Sequence, residues 1–99
     1  NFCIADFDGT LKTIAIATGD KSGIKMEVKT DLPGVQLYTG NFLDGTIIGK
    51  NNKPMTKRSG FCLETQVYPD SPNHPEWPSC IYDKGEEYKT TTVFCFSLA

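Results

Sequence analysis

The sequence predicts an all-β chain, an antiparallel β-sandwich or part of one. Two observations carry that prediction. The apolar runs read with a period of two, and none repeats with the period of a helix. Clusters of Gly, Pro, Asp and Asn separate those runs at short intervals, as turns do between antiparallel strands. With 99 residues there is room for one domain at most, residues 1–99, and for only a modest core.

Taken in order, residues 2–6 read as a strand closed by Asp8-Gly9, a hairpin signal. Residues 11–18 are rich in Ile and Thr and read as a second strand. After a turn bounded by Gly19 and Gly23, residues 24–30 alternate: Ile24, Met26 and Val28 on one face, Lys25, Glu27 and Lys29 on the other. The three are expected to form a meander. Pro33-Gly34 enforces a turn, and residues 35–39 form a short strand with Val35, Leu37 and Thr39 on one side and Gln36 and Tyr38 on the other. Residues 46–48 read as a brief extended piece, and the polar, aperiodic residues 49–59 as an exposed loop. Residues 90–98 end the chain as a strand with apolar side chains on both faces, which predicts a position buried on both sides. Uncovered, such a strand predicts dimers or aggregation.

Residues 61–67 are the most informative strand. Phe61, Leu63, Thr65 and Val67 share one face, and Cys62, Glu64 and Gln66 share the other. The second face places a carboxylate and an amide two residues apart, close enough to hold one small polar ligand. By pattern alone, a solvated Glu on a half-buried strand explains the alternation as well, since exposed carboxylates are the rule. Pro69, Pro72, Pro75 and Pro78 follow, which excludes helix and central strand. Tyr68 and Trp77 lie within the same stretch and predict an ordered loop rather than a linker. His74, the only histidine, is expected to be a loop histidine fixed between prolines rather than a general acid or ligand.

Composition excludes several functions. Twelve acidic against ten basic residues give a net charge of -2, and the basic residues are scattered, so nothing favours nucleic acid or an anionic membrane. No apolar run is long enough to span a bilayer, and no basic-then-apolar leader opens the sequence. No phosphate loop, nucleophile elbow or metal-ligand spacing occurs. Cys3, Cys62, Cys80 and Cys95 allow two disulfides by count. Three of them sit in strand-like runs where Cys behaves as a small hydrophobe, so free thiols and a cytoplasmic location are expected.

Two segments extend the reading. Residues 32–45, Leu-Pro-Gly-Val-Gln-Leu-Tyr-Thr-Gly-Asn-Phe-Leu-Asp-Gly, resemble a signature of the aldose 1-epimerases, the galactose mutarotase family. Residues 60–70, continuing through Asn73-His74-Pro75 and Pro78, resemble a second. Gly85-Glu86-Glu87-Tyr88 and the Thr-rich last strand are similar to that family's C-terminus. The resemblance runs through nearly the whole chain and corresponds to the C-terminal part of longer proteins. It implies part of a mutarotase-like supersandwich and an isomerase that interconverts the α and β anomers of free aldoses such as galactose and glucose. It implies no cofactor and no metal. Glu64 matches the family's base and Gln36 a sugar-contacting glutamine. The family's Asp-His pair and two histidines, one of them the general acid, have no counterparts among these residues, and His74 matches neither. The resemblance therefore implies a chain weak or inactive alone, pairing with the polypeptide that carries the acid.

A purely structural fragment, folded but unable to bind sugar because half of the cleft is absent, stays open at this point, and so do two other readings. One is a non-catalytic carbohydrate-binding module that uses Gln36 and Glu64 without turnover. The other is a sugar-phosphate epimerase, for which Lys57-Arg58 is the sole basic pair.

Overall fold

The computed structural model describes residues 1–99. Its strands are β1 (Phe2–Cys3), β2 (Lys12–Thr18), β3 (Ile24–Thr30), β4 (Gly34–Tyr38), β5 (Cys62–Gln66) and β6 (Thr92–Leu98). They form two antiparallel three-stranded sheets, ordered β1-β4-β5 and β2-β3-β6. The only helical pieces are two three-residue 3-10 turns. The architecture is all-β, as the sequence predicts. No helix is long and apolar enough to cross a membrane.

The expected meander is not formed. β2 and β3 make a hairpin, but β1 pairs with β4, aligning Phe2 with Val35 and Cys3 with Gly34. The cause lies in residues 4–11. The Ile4 N–H donates to the Pro33 carbonyl at 2.8 Å, which ties the chain to the other sheet. At Asp8 the carboxylate accepts from the Thr10 N–H at 3.0 Å and its hydroxyl at 2.6 Å, forming a local turn instead of a hairpin loop. The two bonds at Asp8, together with the tie from Ile4 to Pro33, thus outweigh the Asp-Gly signal.

Nor is the last strand buried on both faces. β6 is the edge of its sheet, and Phe96 and Leu98 are 67% and 79% exposed. β3 covers one side of its hydrogen-bonding ladder, and no strand lies on the other. Residues 49–59 are exposed as expected, but they are not a featureless loop. Ile48 bridges Pro54, and Met55 N–H donates to the Ile47 carbonyl at 2.8 Å, so the chain doubles back as a small hairpin.

The sheets meet where β3 runs into β4. Val28 is fully buried, and Leu32 and Val35 flank it. The Thr92 hydroxyl bonds that of Thr65 at 2.7 Å and that of Thr30 at 3.2 Å, joining β6 to both β5 and β3. Asp31 completes the junction: the Thr91 N–H lies 3.0 Å from both of its carboxylate oxygens. Away from this seam the inner faces part. One cleft of about 450 Å³ is lined by Phe2, Ile4, Ile14, Val35, Leu37 and Leu63. The apolar parity read for residues 61–67 therefore faces the other sheet, which leaves the opposite face of β4 and β5 for polar groups.

Candidate functional site

Gln36 and Glu64 are direct cross-strand partners. The β4–β5 ladder aligns Gly34 with Gln66, Gln36 with Glu64, and Tyr38 with Cys62. Side chains directly opposite on an antiparallel pair have Cβ atoms about 4.5–5.5 Å apart. The amide and the carboxylate thus stand side by side, held by two backbones rather than by their own contacts. Glu64 is exposed and Gln36 half-buried, and no side-chain hydrogen bond or ion pair ties either one to the protein. Their hydrogen-bonding capacity is open to a ligand.

Neighbours on the same face bound this pair. On one side, Tyr38 stacks on Phe42 with ring centres 6.3 Å apart, and its hydroxyl accepts the Phe42 N–H at 3.0 Å. Phe42 itself is 90% exposed. On the other side, the Gln66 amide donates to the Asn1 side-chain carbonyl at 3.0 Å. Gln66, placed with Glu64 by parity, is therefore occupied, and the amide beside Glu64 is Gln36 from the neighbouring strand. Gly34 lets Tyr68 and Asn1 close over this end: a Cβ there would stand 3.0 Å from Asn1 atoms and 3.1 Å from the Tyr68 ring. Burial, and then the nearby Cys3 thiol, push the Tyr68 hydroxyl pKa up.

His74 lies in the loop after β5 and is engaged there. Its ring stacks on Trp77 at 3.8 Å, and its two nitrogens lie 3.1 Å from Asp70 and Glu76 carboxylate oxygens. The bond to Glu76, then that to Asp70, raise its pKa above the ordinary imidazole value. This is the fixed loop histidine expected from the sequence, and its carboxylate partners are what sequence reading missed. The signal was present as Asp four residues before and Glu two residues after a lone His, with Trp three after. Arg58 turns to the β4–β5 connection, where its Nε donates to Asn41 at 3.2 Å. All four thiols are free. No group of three or more His, Cys, Asp or Glu side chains converges as metal ligands would.

The family model for aldose 1-epimerase matches residues 1–95. The chain belongs to the aldose 1-epimerase family. It is 50% identical over all 99 residues to the galactose mutarotase of Mus musculus, of which it covers 29%. It is 58% identical to the galactose mutarotase of Homo sapiens over 78 residues, which are 79% of this chain and 23% of that protein. Over 75 residues, 74% of the chain and 21% of the relative, it is 43% identical to the aldose 1-epimerase of Escherichia coli strain K12. The chain spans less than a third of the length of these relatives and matches their C-terminal part. Family membership thus bears out the resemblance carried by residues 32–45 and 60–70, while the roles of Gln36 and Glu64 remain a matter of chemistry.

Proposed function

We propose that the protein carrying this chain is an aldose 1-epimerase acting on free aldoses such as galactose and glucose, with Glu64 as the base and Gln36 as a sugar contact. The observation that carries this reading is the direct pairing of Gln36 with Glu64 across β4 and β5 on a face free of competing partners. Anomer exchange needs a base for the anomeric hydroxyl proton and an acid at the ring oxygen. Glu64 takes that proton, the ring C–O bond breaks as the ring oxygen is protonated, and an aldehyde results. Rotation about the adjacent C–C bond and re-addition of the hydroxyl to either aldehyde face give both anomers. Gln36, a donor and an acceptor at once, suits a sugar hydroxyl held beside the base. Two strands fix both groups without help from the ligand, as pre-organisation requires.

The acid is assigned outside these residues. His74 is held by two carboxylates and an indole, and its nitrogens are not free to serve a ring oxygen. The exposed apolar side chains of β6 are assigned to contacts with polypeptide beyond this chain. Polarimetry of freshly dissolved α-galactose tests the assignment. The 99-residue chain should give at most a weak acceleration over buffer, and a longer protein containing it a full one. Rapid equilibration by the chain alone would place the acid within it. Sugar-induced amide shifts at Gln36 and Glu64 with no acceleration even in the longer protein would favour a carbohydrate-binding module.

A further inference from the structure

The polar groups left over by this mechanism are concentrated in residues 68–78. His74 Nε2 lies 3.1 Å from Asp70 Oδ2, and Nδ1 lies 3.1 Å from Glu76 Oε1. Ionised carboxylates only accept hydrogen bonds, and a neutral imidazole carries one N–H. Both contacts are therefore hydrogen bonds only when the ring is doubly protonated. One ring face lies flat on Trp77, 3.8 Å away and tilted by 12°, where a cation is favoured. Trp77 meets Tyr68 edge-on with ring centres 5.6 Å apart. Tyr68 in turn rests over Gly34, whose rung with Gln66 is the next on the same face of the sheet as the Gln36–Glu64 rung, two positions along the ladder. Contacts thus run without a break from the imidazole to the residue pair next to the site.

We propose that His74 is a positioning residue: bridged between Asp70 and Glu76 and stacked on Trp77, it clamps the 68–78 loop as a wall beside the Gln36–Glu64 face, and loosens that wall when the ring loses its charge. Asp70 and Glu76 are the charged groups that act on the imidazole, and both come from the loop itself. Asp70 is also one of five non-glycine residues with positive φ, at 69°, a region that Asp tolerates better than most side chains but that still favours Gly. Its carboxylate contacts His74 and the Asn73 amide. Loss of the ring's charge leaves one carboxylate facing a lone pair, and the contact chain to Tyr68 and Gly34 slackens at its origin. The effect on catalysis rests on the roles given to Gln36 and Glu64 above; the clamp itself does not.

The chain has one His and one Trp, so the test is specific. Trp77 emission of the 99-residue chain is followed from about pH 5 to about pH 9, a range that spans imidazole titration. In parallel, the side-chain amide resonances of Gln36 and Gln66 are recorded by NMR, with and without galactose. Both signals should move together, with a midpoint above the ordinary imidazole value. Glu76→Gln should lower that midpoint, and His74→Gln should abolish the transition in both. His74→Arg, a planar cation that can stack on Trp77 and reach both carboxylates, should hold the low-pH positions at every pH. Glutamine resonances that ignore the Trp77 transition, or that move equally in His74→Gln, would overturn the proposal. If the amides follow His74 while galactose leaves them unmoved in the longer protein as well as in the chain, the clamp stands and the sugar assignment falls.

Discussion

Glu64 and Glu76 are the same side chain twelve residues apart, and the fold treats them oppositely. Glu64 sits on β5, paired rung for rung with β4 along its one ladder, and its side chain makes no hydrogen bond or ion pair. Glu76 sits in a loop with no ladder, and bonds His74 at 3.1 Å. The strand can leave its carboxylate unengaged because backbone hydrogen bonds position it. The loop cannot, because its side chains are what hold it together. A group meant to take a proton from a ligand belongs on the first kind of support, and a group meant to fix a conformation on the second.

Exchanging each carboxylate for its amide separates the two roles. Glu64→Gln keeps shape and removes the base, so the longer protein should lose epimerisation by about 10²–10⁴-fold with an unchanged melting temperature. Glu76→Gln should leave the chemistry of the base intact and reduce loop order, seen as faster amide exchange in residues 68–78. If instead Glu64→Gln lowers stability and Glu76→Gln abolishes the rate, the assignment is reversed.

The seam between the two regions is Gly34. A methyl group there would press into Asn1 and Tyr68 at 3.0–3.1 Å. Gly34→Ala should destabilise the chain by about 1–3 kcal/mol through overpacking, measured by denaturant unfolding. Unfolding unchanged from wild type would mean that Tyr68 and Asn1 move aside at no cost, and that the wall is not tightly seated.

Sequence reading recovered the strand that bears Glu64 because a period of two is a local property. The direct partner of Glu64 was beyond it: parity suggested Gln66, which the fold commits to Asn1, and only the resemblance to the family singled out Gln36. The pairing of Gln36 with Glu64 closes a long connection, and nothing in either strand alone sets that register. The same limit explains β1 and β6. A two-residue strand is defined by what it pairs with, and Phe2 meets Val35 far along the chain. β6 reads as doubly covered because its sequence is apolar on both faces, whereas coverage depends on which strands flank it. The loop after β5 was legible as ordered from its prolines and aromatics, but the carboxylates that hold His74 look like ordinary loop charges until the fold brings them to the ring.

Gln36→Ala tests the polar partner of Glu64 more gently. A neutral hydrogen bond is worth about 1 kcal/mol net, so KM for galactose should rise by roughly fivefold while kcat changes less. A loss confined to kcat would instead place Gln36 in the chemical step.

The smallest effect, and the one that most directly contrasts the regions, is the pH dependence of stability from the loop. His74 is raised above its ordinary 6.5, by Glu76 first and then Asp70. Its contribution is therefore complete below 6.5 and is lost as pH rises through the folded value. Asp70 is lowered from 3.8, chiefly by the Asn73 amide and then by His74; Glu76 is lowered from 4.5 by a bond to its own backbone and then by His74. Their contributions are complete above those ordinary values and fade as pH falls through the folded ones. All three act together between 4.5 and 6.5. Since these groups are solvent-exposed, the consequence is a shallow maximum in melting temperature across that window, flattened in His74→Gln and untouched in Glu64→Gln. A maximum that survives His74→Gln would leave the loop without electrostatic support of its own; Asp8, whose pKa Thr10 and then Lys12 hold down at about 2, adds stability that is complete above 3.8 and so gives no maximum in that window.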